Sequence, residues 1–206
     1  DEPVLSPGKA YDRVEVTPVP VETVAVGLQP RSLVGARLAI IIDDLGGGVA
    51  GTSELMQVRA PLTVAIMPGG RHAESEALAA ADSGFAVILH QPMEALDSSK
   101  DPGPGAITAE MPETEIRTTI EDNLTRVPGA IGVNNHMGSK VTEDSVAIEI
   151  VLSEVFSRGL IFIDSRTSSK SVVAQVAAAM GASVLENSTF LDGVNTEDYV
   201  IEQIRS

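Results

Sequence analysis

An α/β fold with parallel strands is what this sequence predicts, and three observations predict it. Short apolar runs recur at residues 38–42, 62–66, 85–89, 130–133 and 160–163, each long enough for a strand buried on both faces. The runs alternate with stretches of helical character from residue 37 onward. Most of the runs end in polar or charged residues, as strands do when they finish at a functional rim. The simplest architectures with this rhythm are a barrel or an open doubly wound sheet, and no sequence repeat accompanies it.

The first run opens the stretch LAIIIDDLGGG at residues 38–48, where the strand feeds directly into Asp43 and Asp44 and then three glycines. In parallel sheets ligands bind outside the carboxyl ends of the strands, so both acids are candidates for metal binding or acid/base work. The plainer alternative is that Asp beside Gly turns the chain and caps the next segment. Glycines 46–48 suggest a phosphate cradle, but neither GxGxxG nor a Walker lysine accompanies them.

Residues 50–58 are expected as a short helix and 62–66 (LTVAI) as a second strand closed by Pro68, Gly69 and Gly70. A helix comes next over 71–83, rich in alanine and ended by Gly84. Its first residues include His72, which reads as a surface histidine. The third strand, 85–89 (FAVIL), finishes in His90, and a 21-residue loop at 91–111 containing DSSKDPGPG comes after it. Loops of that length inside a compact domain are usually functional or disordered.

Pro112 at a first helical position, with Glu113 and Glu115 behind it, starts a helix carrying Ile116, Ile120, Leu124 and Val127 on one stripe. Residues 130–133 form a fourth strand leading into Asn134, Asn135 and His136. Thr142 is expected to cap the next helix, which Gly159 ends. The fifth strand, 160–163, finishes in Asp164, Ser165 and Arg166. A helix over 171–180, a short strand at 183–185 and a last helix capped by Asn195 or Thr196 complete the pattern.

Residues 1–36 are different in kind: five of the 12 prolines lie here among scattered valines, so an extended arm or linker is expected, with residues 37–206 as the folded domain. The chain begins at Asp1 rather than Met, which suggests that a preceding segment was removed, by a signal peptidase or in the making of this piece; the first alternative points to export. No run of 18 apolar residues offers an integral membrane segment. Twenty-nine acids against 14 bases give a formal charge of −15, which repels a phosphate backbone, and with no Trp there is little to stack bare bases, so nucleic acid is excluded as a partner class. The absence of cysteine removes disulfides, thiolate metal sites and cysteine nucleophiles together.

If the strands are parallel, His90, His136, Asp43, Asp44 and Asp164 all gather at one end of the sheet, whatever their separation in sequence. Two imidazoles with one or two carboxylates are typical of zinc and related divalent ions. Water on such an ion is acidic enough to act as nucleophile near neutral pH, and a second carboxylate takes its proton. A lone strand-end histidine is more often structural; two of them beside strand-end acids favour the metal reading. Ser139 has no GxSxG context and is a poor nucleophile candidate.

The ordered series IIDDLG, HQPME, GVNNHMGS, FIDSRTS and FLD (190–192) resembles the divergent polysaccharide deacetylase family, distant relatives of the carbohydrate esterases that remove N- or O-acetyl groups from cell-wall sugars. The resemblance covers residues 37–206. It implies a distorted (β/α) barrel of seven strands, exported to the periplasm or beyond. Asp43 would be the base, Asp44 a metal ligand, and His90 and His136 the remaining ligands of a zinc or similar ion. The better-known enzymes carry both histidines in one short His-x-x-x-His motif, whereas here they come from successive strands. Arg166, beside Asp164, would orient a carboxylate or stabilise an oxyanion, with a plain ion pair as the alternative. Relatives continue past the last helix into a final strand whose tip supplies a histidine acid; this chain stops at Ser206, so either the sequence is shortened or the barrel lacks that wall and its acid. The expected function is removal of acetyl groups from an acetylated envelope glycan; the rival is a non-catalytic envelope module that binds glycan or protein.

Overall fold

The structure, a computed structural model, describes residues 38–205. The arm expected over residues 1–36 lies outside the described residues.

Six parallel strands stand in sequence order: β1 (Ile41–Leu45), β2 (Thr63–Ile66), β3 (Ala86–Met93), β4 (Gly132–Met137), β5 (Ile161–Asp164) and β6 (Leu185–Glu186). Between them run α1 (Thr52–Leu55), α2 (Ala73–Asp82), α3 (Glu113–Arg126), α4 (Ser145–Ser157) and α5 (Val173–Ala179), and α6 (Glu197–Arg205) comes after β6. Strictly sequential order in a parallel sheet is the arrangement of a (β/α) barrel wall. The expected seventh strand is not among the described elements: the hydrogen-bonded sheet runs from β1 at one edge to β6 at the other.

Strand side chains alternate between faces, and here both faces are covered. The outer one packs Val64, Ile66, Val87, Leu89, Val133 and Phe162 against helix residues such as Ala77, Ile116, Ile120, Ile148, Leu152 and Val173. This is the larger core, and its helices present the apolar stripe anticipated for 116, 120 and 124. The inner face carries a smaller cluster of Ala65, Ile88 and Ile163, with Ile41 packed against it. These four residues make an apolar floor, and the next inward positions along the same strands lie above it.

Strand ends and one helix cap differ from expectation. β1 includes Asp43 and Asp44, and β4 runs through Asn134, Asn135 and His136 to Met137, so these residues lie in the strands and not beyond them. The third strand does not stop before His90 but continues through Pro92 to Met93. Pro92 is tolerated because its carbonyl, and hence its missing N–H, points away from β4 toward Ile107, whose N–H it accepts. The long loop after it is consequently held in place: Met93 bridges Ile107, the Asn123 amide donates to Gln91 Oε1 and to the Gly105 carbonyl, and Glu94 accepts from Ala109 N–H and from Lys140. The cap of α4 is Asp144 rather than Thr142; its carboxylate accepts from the N–H groups of Val146 and Ala147 at 2.9 and 3.0 Å. Thr142 sits in a 3-10 turn at Val141–Glu143, buried, and its hydroxyl is the one buried side-chain polar atom without a partner among the described residues.

Candidate metal centre

The site is built at the carboxyl end of β1, β3 and β4. On β3, Ile88 belongs to the inner floor, so His90, two residues on, also faces inward. In register beside it on β4 is Asn134, and Pro92 pairs with His136, which places both imidazoles and the Asn134 amide on one surface. Asp43 shares the parity of Ile41 on β1. Asp44 breaks the alternation, since its backbone adopts φ 63°, the left-handed region, and the β1–β2 register shifts across it. That twist turns the carboxylate of Asp44 to the same side as its neighbour.

Three donor atoms then converge. Asp44 Oδ1 lies 2.9 Å from His136 Nδ1 and 3.3 Å from His90 Nε2, and the two ring nitrogens are 3.2 Å apart. Donors bound to one divalent ion at about 2.0–2.1 Å stand about 2.9 Å apart at octahedral angles and about 3.3 Å apart at tetrahedral ones. The observed triangle fits one face of such a coordination shell. His90 is buried, His136 partly so, and Asp44 is exposed, which leaves the outward side open to solvent. The imidazoles, His136 first and His90 second, hold the Asp44 carboxyl far below the ordinary carboxylate range despite its partial burial.

Asp43 stands just outside the triangle. Its Oδ1 accepts from the Asn134 amide at 2.9 Å and lies 3.9 Å from His90 Nδ1. His90 Nδ1 is 2.8 Å from Asn134 Oδ1, and the same amide group reaches Ser165 Oγ at 3.4 Å. The rings of His90 and His136 meet edge to face with centroids 4.9 Å apart.

Asp164 and Arg166 are placed differently. Ile163 faces the inner floor, so Asp164 faces the helix layer. There it is fully buried, and its two oxygens accept from Arg166 N–H at 2.7 Å and Ser171 Oγ–H at 2.6 Å. The Arg166 guanidinium reaches Glu186 on β6 at 3.0 Å, the plain ion-pair alternative. Backbone strain nevertheless clusters at this rim: besides Asp44, the non-glycine residues with positive φ among the described residues are Met137 at 52°, next to His136, and Arg166 at 56°. Such conformations cost on the order of 1–3 kcal/mol each and concentrate where function holds them.

Two residues escaped the sequence reading. Glu76 of α2 sends its carboxylate into the glycine turn, accepting from Gly46 N–H at 2.6 Å and Gly48 N–H at 2.8 Å. The turn therefore cradles an internal anion instead of a phosphate, and it anchors the chain immediately after Asp44. The close approach also requires glycine, for a Cβ on Gly70 would run into the Gly46 carbonyl. Asn134 is the other. Its signal was the spacing of Asn134 and His136, two apart on a strand and so on one face. His72 is exposed, at the start of α2 and packed near Gly48.

A sequentially ordered parallel sheet with a strand-end cluster of one acid and two imidazoles defines a (β/α) protein with a candidate metal centre. The chain belongs to the divergent polysaccharide deacetylase family, whose model matches residues 40–206. It is similar to the uncharacterized protein YibQ of Escherichia coli K12, 32% identical over 166 residues that make up 80% of this chain and 51% of that one. An uncharacterized protein of Haemophilus influenzae is 30% identical over 164 residues, 80% of this chain and 58% of that protein. The chain thus spans about half the length of the curated relatives it matches. An uncharacterized protein from Agrobacterium tumefaciens C58, known from its crystal structure, superposes with a TM-score of 0.77 at 24% identity over 83% of this chain and 72% of that one, a likeness of fold.

Proposed function

We propose that the chain is the catalytic domain of a metal-dependent hydrolase that removes acetyl groups from a cell-envelope polysaccharide. The observation that carries this reading is the triangle of Asp44 Oδ1, His90 Nε2 and His136 Nδ1, with a second carboxylate, Asp43, one amide away. Asp44, His90 and His136 would hold a divalent ion, with zinc the best match to two imidazoles and a carboxylate, and such an ion would supply an acidified water and a Lewis acid for the acetyl carbonyl. The chain's own groups do the rest. Asp43 accepts the proton of the attacking water, and the apolar floor of Ile41, Ala65, Ile88 and Ile163 keeps solvent from beneath the reacting groups. Asp164 and Arg166 support the rim from behind: their hydrogen bonds fix the turn after β5, where Ser165 reaches Asn134. Family membership supports the substrate class of this reading, an acetylated carbohydrate.

The test is acetate release from acetylated chitooligosaccharides and peptidoglycan fragments by the full-length chain loaded with zinc, cobalt, manganese or nickel. Release abolished in Asp43→Asn is expected; no release with any of these metals overturns the reading. Export to the periplasm or beyond is part of the same proposal, and fractionation of cells expressing the full-length protein checks it.

One observation favours a second reading, a glycan- or protein-binding module that kept the metal site. Among the described residues the third imidazole, His72, lies at the start of α2 beside Gly48 and not in the triangle, so no histidine stands ready as the acid for the leaving group. Glycan binding of undiminished strength in Asp43→Ala, without turnover by wild type, supports that alternative.

A further inference from the structure

Asn134 stands between a ligand and an acid, and both of its polar atoms are committed. Its amide nitrogen donates to Asp43 Oδ1 at 2.9 Å, with Ser165 Oγ a longer second acceptor at 3.4 Å. Its oxygen faces His90 Nδ1 at 2.8 Å. The amide cannot be turned over, because its oxygen would then oppose the Asp43 carboxylate, two acceptors with no hydrogen between them. Since Asn134 is almost fully buried, water is in no position to relieve that conflict. The oxygen therefore stays on His90, and His90 must carry a hydrogen on Nδ1 to meet it. In the neutral ring Nε2 is then left to present a lone pair to Asp44 and His136, 3.3 and 3.2 Å away.

Asp44 pulls the other way. Its carboxylate is satisfied just as well by a hydrogen on His90 Nε2, which would remove that atom as a ligand. The amide decides between these demands, while His136 Nδ1–H, at 2.9 Å, serves Asp44 in the metal-free protein. Metal-bound histidines ordinarily give their second N–H to a carboxylate or a carbonyl. Here the carboxylate of Asp43 is held 3.9 Å from Nδ1, beyond hydrogen-bond reach, and the amide is interposed.

We infer that Asn134 is a positioning residue with two simultaneous effects: it holds His90 in the Nδ1–H tautomer that makes Nε2 a ligand atom, and it anchors Asp43 through one oxygen so that the other takes the proton. The second effect rests on the hydrolase reading above; the first requires only the triangle. One side chain thereby couples the metal ligand to the base, and one oxygen-to-nitrogen amide direction sets both.

The experiment uses the full-length protein and two substitutions, Asn134→Leu and Asn134→Asp. His90 tautomer is read in the metal-free state by long-range proton–nitrogen NMR correlation, zinc affinity by competition with a chromophoric chelator, and acetate release in parallel. Wild type is expected to show His90 protonated at Nδ1. Asn134→Leu is expected to lose that preference and about 10–100-fold in zinc affinity, the usual effect of losing a ligand's hydrogen-bond partner. Asn134→Asp keeps an acceptor for Nδ1, so it should retain zinc while losing acetate release, because a second carboxylate repels Asp43 and donates nothing to it. A wild-type His90 protonated at Nε2 in the metal-free protein, or zinc affinity in Asn134→Leu equal to wild type, overturns the inference. Should Asn134→Leu fail to unfold cooperatively, the wild-type tautomer and the Asn134→Asp pair of readouts decide. Zinc binding that depends on Asn134 without any acetate release would remove the hydrolase reading and leave the tautomer role standing.

Discussion

Asp44 and Asp164 both sit where a parallel strand stops, and their surroundings differ in every respect that matters to chemistry. Asp164 faces the helix layer with no exposure, and each of its oxygens has a donor from its own turn, Arg166 N–H and Ser171 Oγ–H. Asp44 faces the open rim, two-thirds exposed, and its partners are imidazoles that belong to other strands. Strand parity separates the two. Ile163 contributes to the inner floor and thereby sends the next residue outward, whereas the left-handed backbone at Asp44 brings a residue of the wrong parity back inside. A buried carboxylate with a donor on each oxygen builds structure. One whose partners are drawn from distant strands, with a side left open, is available to hold an ion.

Substitutions can break this contrast, beginning with the largest effect. Asp43→Asn should lower acetate release by at least about 100-fold, the usual contribution of a general base, with metal content by elemental analysis unchanged. His136→Ala should reduce metal content to background, since it removes one corner of the triangle, while urea denaturation of the metal-free protein shifts little because His136 is only partly buried. Asp164→Ala should do the reverse: about 1–3 kcal/mol less stable in urea, from a buried hydroxyl and N–H left without their acceptor, with metal content retained. An Asp164→Ala protein of normal stability but without metal would mean that the two carboxylates had been assigned the wrong way round.

The smallest effect concerns a carboxylate of the structural kind elsewhere in the helix layer. Burial pushes the Glu154 carboxyl up, but hydrogen bonds from Arg158 and Arg117 outweigh it and leave the group below its ordinary value. A depressed folded-state value means that stability from this group is present above its unfolded value of about 4.3 and is lost as pH falls through the lower folded one. Glu154→Gln should therefore cost about 1 kcal/mol at neutral pH, modest because both arginines are a third exposed, and the gap in Tm from wild type should close below about pH 4.

Much of this architecture was legible in the chain. Apolar runs, glycine stops and an alternating rhythm specify parallel strands joined by helices, and parallel strands bring all their carboxyl ends to one rim. That rule brings His90 and His136 together without reference to their spacing, whereas Asp44 joins them only through its left-handed backbone. The length of β3 was not legible, because Pro92 argues against a strand until Ile107 is known to lie on its free side. Nor was the cap of α4, where Thr142 and Asp144 are both good candidates and only the turn geometry chooses.

What the amino-acid sequence determined by itself was the set of elements, the rim at which they end, and the residue types present there. Which acid is satisfied inside and which is left open, which anion fills the glycine turn, and which way one amide points were decided by tertiary structure. The physical reason is that these outcomes depend on donors and acceptors contributed by other strands and helices. A hydrogen bond from Gly46 to Glu76, or from Asn134 to Asp43, spans 30 or 91 residues of chain and leaves no local trace of its existence.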